Sequence, residues 1–239
     1  LRGLLTDNTV AAMNFDDNFR RIGGANIEPI KALVASLEEA DWASQSVRQQ
    51  RYEVHRDTHT IPLVHDYDFR HTNPIRHPAL ETFEPAIRPI LAITADFFDT
   101  SEKGQELTKK YGVGYFIRAN LVRLAADGSI DEHRDGNFSL THAHRVHVPI
   151  ITNDRVLFKV GQETLCLPEG EIYEINNRRL HSVHNGGDAA RIHLILDYVL
   201  KGEKCCCGEK LHPDQPCTPE ACMDTDHGRI PCTCHPESA

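Results

Sequence analysis

The first 204 residues are nearly without cysteine. Of eight in the chain only Cys166 precedes position 205, so the body has no pair from which to close a disulfide. It must stand on its core alone, which suits a reducing cytoplasm, and a cytoplasmic location is expected on that ground. Long apolar runs are missing too. No stretch approaches the eighteen residues a helical membrane span needs, and no charged-then-apolar signal segment opens the sequence. Positive charge is in deficit: 26 Lys plus Arg stand against 35 Asp plus Glu, a net of −9. That balance sets aside nucleic acid and anionic membrane as main partners and leaves a small molecule or peptide. What is present is 239 residues, 40% apolar and 26% charged, ordinary values for a globular chain long enough to bury a core unaided.

The texture changes twice along the chain. Residues 1–110 hold two patches of helical periodicity, Asn26 to Trp42 and Leu80 to Phe98. Pro85 and Pro89 interrupt the second. Arg51 to Val64 between them reads as one or two short strands. Residues 111–200 read as short strands at regular spacing (Tyr115–Leu124, Arg145–Thr152, Arg155–Val160, Glu163–Leu167, Glu171–Ile175, Arg191–Leu200), broken by turns such as Pro168-Glu169-Gly170. Many short strands without intervening helices predict a mainly β protein with N-terminal helices packed on a double-stranded β-helix, a cupin-like jelly roll. Residues 201–239 form a tail with 4 basic and 7 acidic residues and almost no Leu, Ile, Val or Phe. Such a tail cannot build an apolar core of its own.

Within the strand-rich segment, His133 and Asp135 are two apart, so an extended backbone presents them on one face. Another histidine pair follows at His181 and His184. Two imidazoles and a carboxylate, with three coordination positions left open, make the facial triad of non-haem Fe(II) oxygenases. A structural zinc site would close its fourth position with a protein ligand, usually Cys, and the body has none nearby. Positions three apart on a strand face opposite ways, so only one of His181 and His184 can join such a set. Arg191 opens the apolar strand Arg191-Ile192-His193-Leu194-Ile195-Leu196. A guanidinium facing the interior is costly unless an anion pairs with it, and a dicarboxylate cosubstrate beside the iron would be that anion. His142 and His144 read as a polar loop near the pocket mouth, and His193 as a satisfied core histidine.

These residues carry a resemblance. His133-Arg134-Asp135-Gly136, Arg145-Val146-His147-Val148-Pro149-Ile150, Asn177 through Val183, Asn185 and Arg191 to Asp197 resemble the aspartyl/asparaginyl β-hydroxylase family, a branch of the Fe(II)/2-oxoglutarate-dependent dioxygenases. The bacterial L-proline hydroxylases look like its nearest soluble relatives, and Arg51 to Thr58 is similar to a segment upstream of their barrel. The resemblance implies iron on His133, Asp135 and His181, with His181 favoured over His184 because ten residues separate it from Arg191, as in the family. It implies the distal carboxylate of 2-oxoglutarate on Arg191, and Arg145 and His147 lining the cosubstrate and substrate pocket. Arg145 and Arg56 become candidates for a substrate carboxylate. Asp135 sets the chain apart from the vertebrate aspartyl β-hydroxylases, which lack that carboxylate, and counts against halogenation, which needs its coordination position.

The expected activity is hydroxylation of an amino acid, free or in a peptide, with O2 and 2-oxoglutarate consumed and succinate and CO2 released. Two alternatives remain: hydroxylation of a protein side chain (Asp, Asn or Pro), or a non-catalytic cupin-like metal-binding module, which would not require a buried Arg191. The tail adds Cys205, Cys206, Cys207, Cys217, Cys222, Cys232 and Cys234 within thirty residues. Thiolates at that density can bind Zn(II) or Cu(I), although the spacings are not those of paired C-x2-C knuckles.

Overall fold

The computed structural model describes residues 15, 17–43, 57–205 and 217–218. It opens with strand β1 (Phe19–Gly24) and helices α1 (Glu28–Ala35) and α2 (Glu39–Ala43). Strands β2 (Thr58–His65) and β3 (Ile75–Arg76) and helices α3 (Ala79–Thr100) and α4 (Glu102–Tyr111) follow. Next come β4 (Tyr115–Leu124), β5 (Ser129–His133) and the single turn α5 (Phe138–Thr141). The chain then runs through β6 (His144–Ile151), β7 (Val156–Val160), β8 (Glu163–Leu165), β9 (Glu171–Ile175), β10 (His181–Asn185) and β11 (Arg191–Val199).

The strands form two antiparallel sheets. The larger has the order β1-β9-β6-β11-β4-β2-β3 and the smaller β5-β10-β7-β8. This is the expected jelly roll with N-terminal helices. Strands from the first 110 residues belong to the same large sheet, since β1 pairs with β9 and β2 with β4.

Alternation along the central strands makes two cores. On β11, Ile192, Leu194, Leu196 and Tyr198 join Val146, Val148 and Ile150 of β6 and Phe83, Ile87, Ile90 and Phe98 of α3 in one apolar cluster outside the barrel. A second cluster fills the space between the sheets, with Leu124 and Ile175 from the large sheet and Phe158, Val160 and Val183 from the small one. The period of two therefore turns Arg145, His147, Arg191, His193 and Asp197 inward, toward the smaller sheet. Gly170 makes one turn possible. Its φ of +76° suits glycine, and a Cβ there would stand 2.9 Å from the Ala25 carbonyl.

Some local expectations change. The stretch from Asn26 to Trp42 divides into α1 and α2. Helix α3 runs unbroken through Pro85 and Pro89, both on its exposed side, so carbonyls that lose an amide partner can turn to water. The other face buries Leu80, Phe83, Ile87, Ile90 and Phe98. Helix α4 has too few apolar positions to show a helical stripe, but Ser101 caps it by accepting from the Gly104 amide at 3.0 Å. Arg56 and most of the Arg51–Thr58 segment lie outside the described residues, as do Cys206, Cys207, Cys222, Cys232 and Cys234. No helix among the described residues is long and apolar enough to cross a membrane.

Candidate metal and cosubstrate site

Strands β5 and β10 pair antiparallel with His133 directly opposite His181, which puts both imidazoles on one face of the small sheet. Their ring centroids are 4.3 Å apart. Asp135 follows two residues after His133, where its amide donates to the Asn177 carbonyl at 3.2 Å. Its Oδ2 lies 3.9 Å from His181 Nε2. One ligand atom from each of His133, Asp135 and His181 falls within 4.8 Å of the other two, so the three converge from the end of β5, the loop that follows it and the start of β10.

The surroundings of these side chains fix their orientation. His133 Nδ1 donates to the Asp131 carbonyl at 2.7 Å and His181 Nδ1 to the Arg179 carbonyl at 3.0 Å. That choice of donor leaves Nε2 of each ring as the nitrogen with the lone pair, the form a metal requires. Burial pushes His181 down to about 4, which keeps its ring neutral. Asp135 accepts from Arg145 Nη1 at 2.7 Å and from Asn177 Nδ2 at 3.1 Å. Burial alone would raise its pKa, but the Arg145 guanidinium beside it holds the carboxyl well below the usual range. Two imidazoles and one carboxylate form a donor set that fits Fe(II) and leaves one face open.

Arg191 lies farther along the inner face of the large sheet and is only 1% exposed. Nη2 donates to His193 Nδ1 at 2.7 Å. Its Nε and Nη1, together with His193 Nε2, are buried with no hydrogen-bond partner among the described residues. Since His193 Nδ1 accepts, Nε2 carries the hydrogen, and three buried donors on two adjacent side chains are unsatisfied. Without an anion, burial pushes Arg191 down to about 9. Orphaned donors of this kind cost about 1–3 kcal/mol each, so the arrangement is stable only with an acceptor, and a carboxylate supplies one. His147 completes the row, with Nδ1 3.4 Å from His193 Nδ1 and its ring edge-on to Phe158.

The other sequence candidates settle elsewhere. Arg145 Nε and Nη2 grip both oxygens of Asp197 at 2.8 Å while Nη1 holds Asp135, so its donors already face carboxylates of the chain. His184 is exposed and meets Ser129 Oγ at 3.0 Å. His144 is not in a loop. It lies on β6, fully buried between Glu174 and Glu203, each at 2.8 Å. Three residues were not singled out from sequence: Asp197, His193 as an orphaned donor, and Arg118. The alternation of β11 carries a signal for the first two, because both share the inward face with Arg191. Arg118 pairs across from Asp197 on β4, lies 3.6 Å from its Oδ2, and keeps a buried Nε with no partner among the described residues.

Comparison with known proteins gives a partial family match. Residues 103–200 match the family model described as aspartyl/asparaginyl beta-hydroxylase. No curated protein matches the sequence. Among solved structures, a viral collagen prolyl hydroxylase from Paramecium bursaria Chlorella virus-1 is 9% identical with a TM-score of 0.49, over 76% of this chain and 95% of that one. A Pseudomonas putida prolyl-4-hydroxylase is 10% identical with a TM-score of 0.45, over 77% and 92%. An oxidoreductase of the 2OG-Fe(II) oxygenase family from Burkholderia pseudomallei is 17% identical with a TM-score of 0.45, over 59% of this chain and 66% of that one, just under two thirds of its length. The matched segment, less than half of the chain, contains His133, Asp135, His181 and Arg191, and over those residues the chain is similar to the aspartyl/asparaginyl β-hydroxylase family.

Proposed function

We propose that the chain hydroxylates an amino acid, free or within a peptide, with His133, Asp135 and His181 holding Fe(II) and Arg191 and His193 holding the distal carboxylate of 2-oxoglutarate. The observation that carries this reading is the set of partnerless donors at Arg191 and His193. A module that only binds metal has no use for a buried guanidinium without an anion.

When bound, iron supplies the oxidising chemistry, coupling decarboxylation of 2-oxoglutarate by O2 to hydroxylation of a C–H bond. The protein's own side chains do the positioning. Arg145 keeps Asp135 ionised and aimed, and Asp197 in turn fixes Arg145 through two parallel hydrogen bonds. The Asp131 and Arg179 carbonyls hold the imidazole tautomers. His147 and His193 are pushed well below 6.5 by burial and by Arg191, so the pocket beside the cosubstrate adds dipoles without adding charge. Phe158, Val160 and Val183 between the sheets exclude water. Arg118, loosely paired and on the same inner face, is the guanidinium offered to a substrate carboxylate.

The test is succinate formation from 2-oxoglutarate with Fe(II), ascorbate and a panel of free amino acids and short peptides. The reading expects substrate-dependent succinate, abolished in Asp135→Ala. No turnover across the panel, with zinc bound tightly by the triad instead, overturns it in favour of the metal-binding module.

A further inference from the structure

A second ligand set lies outside the triad. His142 immediately follows α5, and its Nε2 is 3.0 Å from Cys217 Sγ. Cys217 Sγ is 3.9 Å from Cys205 Sγ. One ligand atom from each of the three lies within 4.8 Å of the others. His142 and Cys205 are buried and Cys217 is half-buried. The sulfurs are far beyond the ~2.05 Å of a disulfide. Their separation matches the roughly 3.8 Å that two thiolates take on a tetrahedral ion with Zn–S bonds of about 2.3 Å. His142 Nδ1 donates to the Phe138 carbonyl at 2.8 Å, which makes Nε2, the nitrogen facing the sulfur, the one with the lone pair.

We propose that His142, Cys205 and Cys217 are ligands of a zinc ion that fastens the C-terminal tail to the barrel. Mixed imidazole–thiolate sets are common zinc donors. A divalent ion would take these donors with the thiols deprotonated. His142 and Cys217 also line a cleft of about 860 Å³ together with Arg70, Lys110 and Tyr115, which gives the metal a path of entry.

The ion also bears on the first site. Helix α5 lies between Asp135 and Arg145, and Asn177 Nδ2 donates both to Asp135 Oδ2 and to the Leu140 carbonyl, at 3.1 and 2.9 Å. Arg178 Nη2 donates to the Thr141 carbonyl at 2.8 Å. A metal on His142 therefore anchors the segment from which Asp135 hangs.

The experiment uses the full chain, purified reduced and without added metal. Elemental analysis and Co(II) substitution are the readouts, because thiolate-to-cobalt charge-transfer absorption reports this site and not one built from two His and an Asp. We expect one zinc per chain, strong charge-transfer bands with Co(II), and zinc affinity at least tenfold lower in His142→Gln and in Cys217→Ser, while Asp135→Ala leaves the bands unchanged. Should Cys217→Ser fail to fold, the wild-type bands and His142→Gln decide. The proposal is overturned if the wild type carries neither zinc nor cobalt–thiolate bands, if mass analysis finds Cys205 and Cys217 joined as a disulfide, or if both variants hold zinc as tightly as the wild type.

Discussion

Arg145 holds two buried carboxylates at once, and its removal would strand both. Arg145→Met is expected to lower stability by about 3–5 kcal/mol, the usual result of leaving a buried charge unpaired. Urea unfolding reads this directly, and a loss under 1 kcal/mol would show that Asp135 and Asp197 find other partners. Arg118 is expected to behave differently. Arg118→Met should raise the KM for the amino-acid substrate roughly tenfold or more, the scale of one charge-assisted hydrogen bond, with the KM for 2-oxoglutarate unchanged. Equal effects on both constants would remove Arg118 from the substrate side. Much of this was legible residue by residue. The i, i+2 spacing of His133 and Asp135 needs only an extended backbone, and Arg191 in an apolar strand asks for an anion. The engagement of Arg145 by Asp197 was not, because nothing local says which of two inward-facing groups 52 residues apart will meet.

Among the elements, α3 carries the sharpest conflict between propensity and packing. Two prolines inside a 22-residue helix each remove a backbone hydrogen bond, yet the buried stripe from Leu80 to Phe98 outweighs them. Because Pro89 is exposed, Pro89→Ala is expected to stabilise the protein by about 1–3 kcal/mol, visible as a higher Tm. A lower Tm would mean that the local bend is needed for packing on β1 and β2. The same scale explains what periodicity missed. Strands β5 and β10 are five residues each and rich in His, Ser and Asp, so they lack the apolar alternation that marks β4, β6 and β11. These two strands are polar because they carry His133 and His181, which hid them while their candidate ligands stood out; the other two strands of the small sheet, β7 and β8, were legible.

For the molecule as a whole, acid should loosen the fold through histidines buried in neutral form. His71 is one, donating from Nε2 to the Ser139 carbonyl at 2.9 Å, with Phe138 against its ring and Arg118, Asp197 and His142 as the charged groups about it. Burial pushes it down to about 4. The unfolded chain, near 6.5, binds the proton first, so the stability from His71 is complete above about pH 6.5 and drains as pH falls toward 4. At pH 5 the loss is about 2 kcal/mol. Unfolding free energies at pH 7 and pH 5 should therefore differ by about that much less in His71→Gln than in the wild type. An identical pH dependence would show that His71 is protonated in the folded state. At this scale the sequence revealed a jelly roll and a distinct tail, but not that Cys205 and Cys217 return to His142 on the barrel, since contacts 75 residues apart leave no trace in local spacing.

The central claim is that a ferrous triad and a buried anion site lie side by side. Anaerobic calorimetry of 2-oxoglutarate binding to the Fe(II)-loaded protein tests it most directly. The account predicts one cosubstrate per chain in the wild type, affinity reduced on the order of 10- to 100-fold in Arg191→Met, and unchanged iron stoichiometry in that variant. Equal 2-oxoglutarate affinity in Arg191→Met and wild type would contradict it.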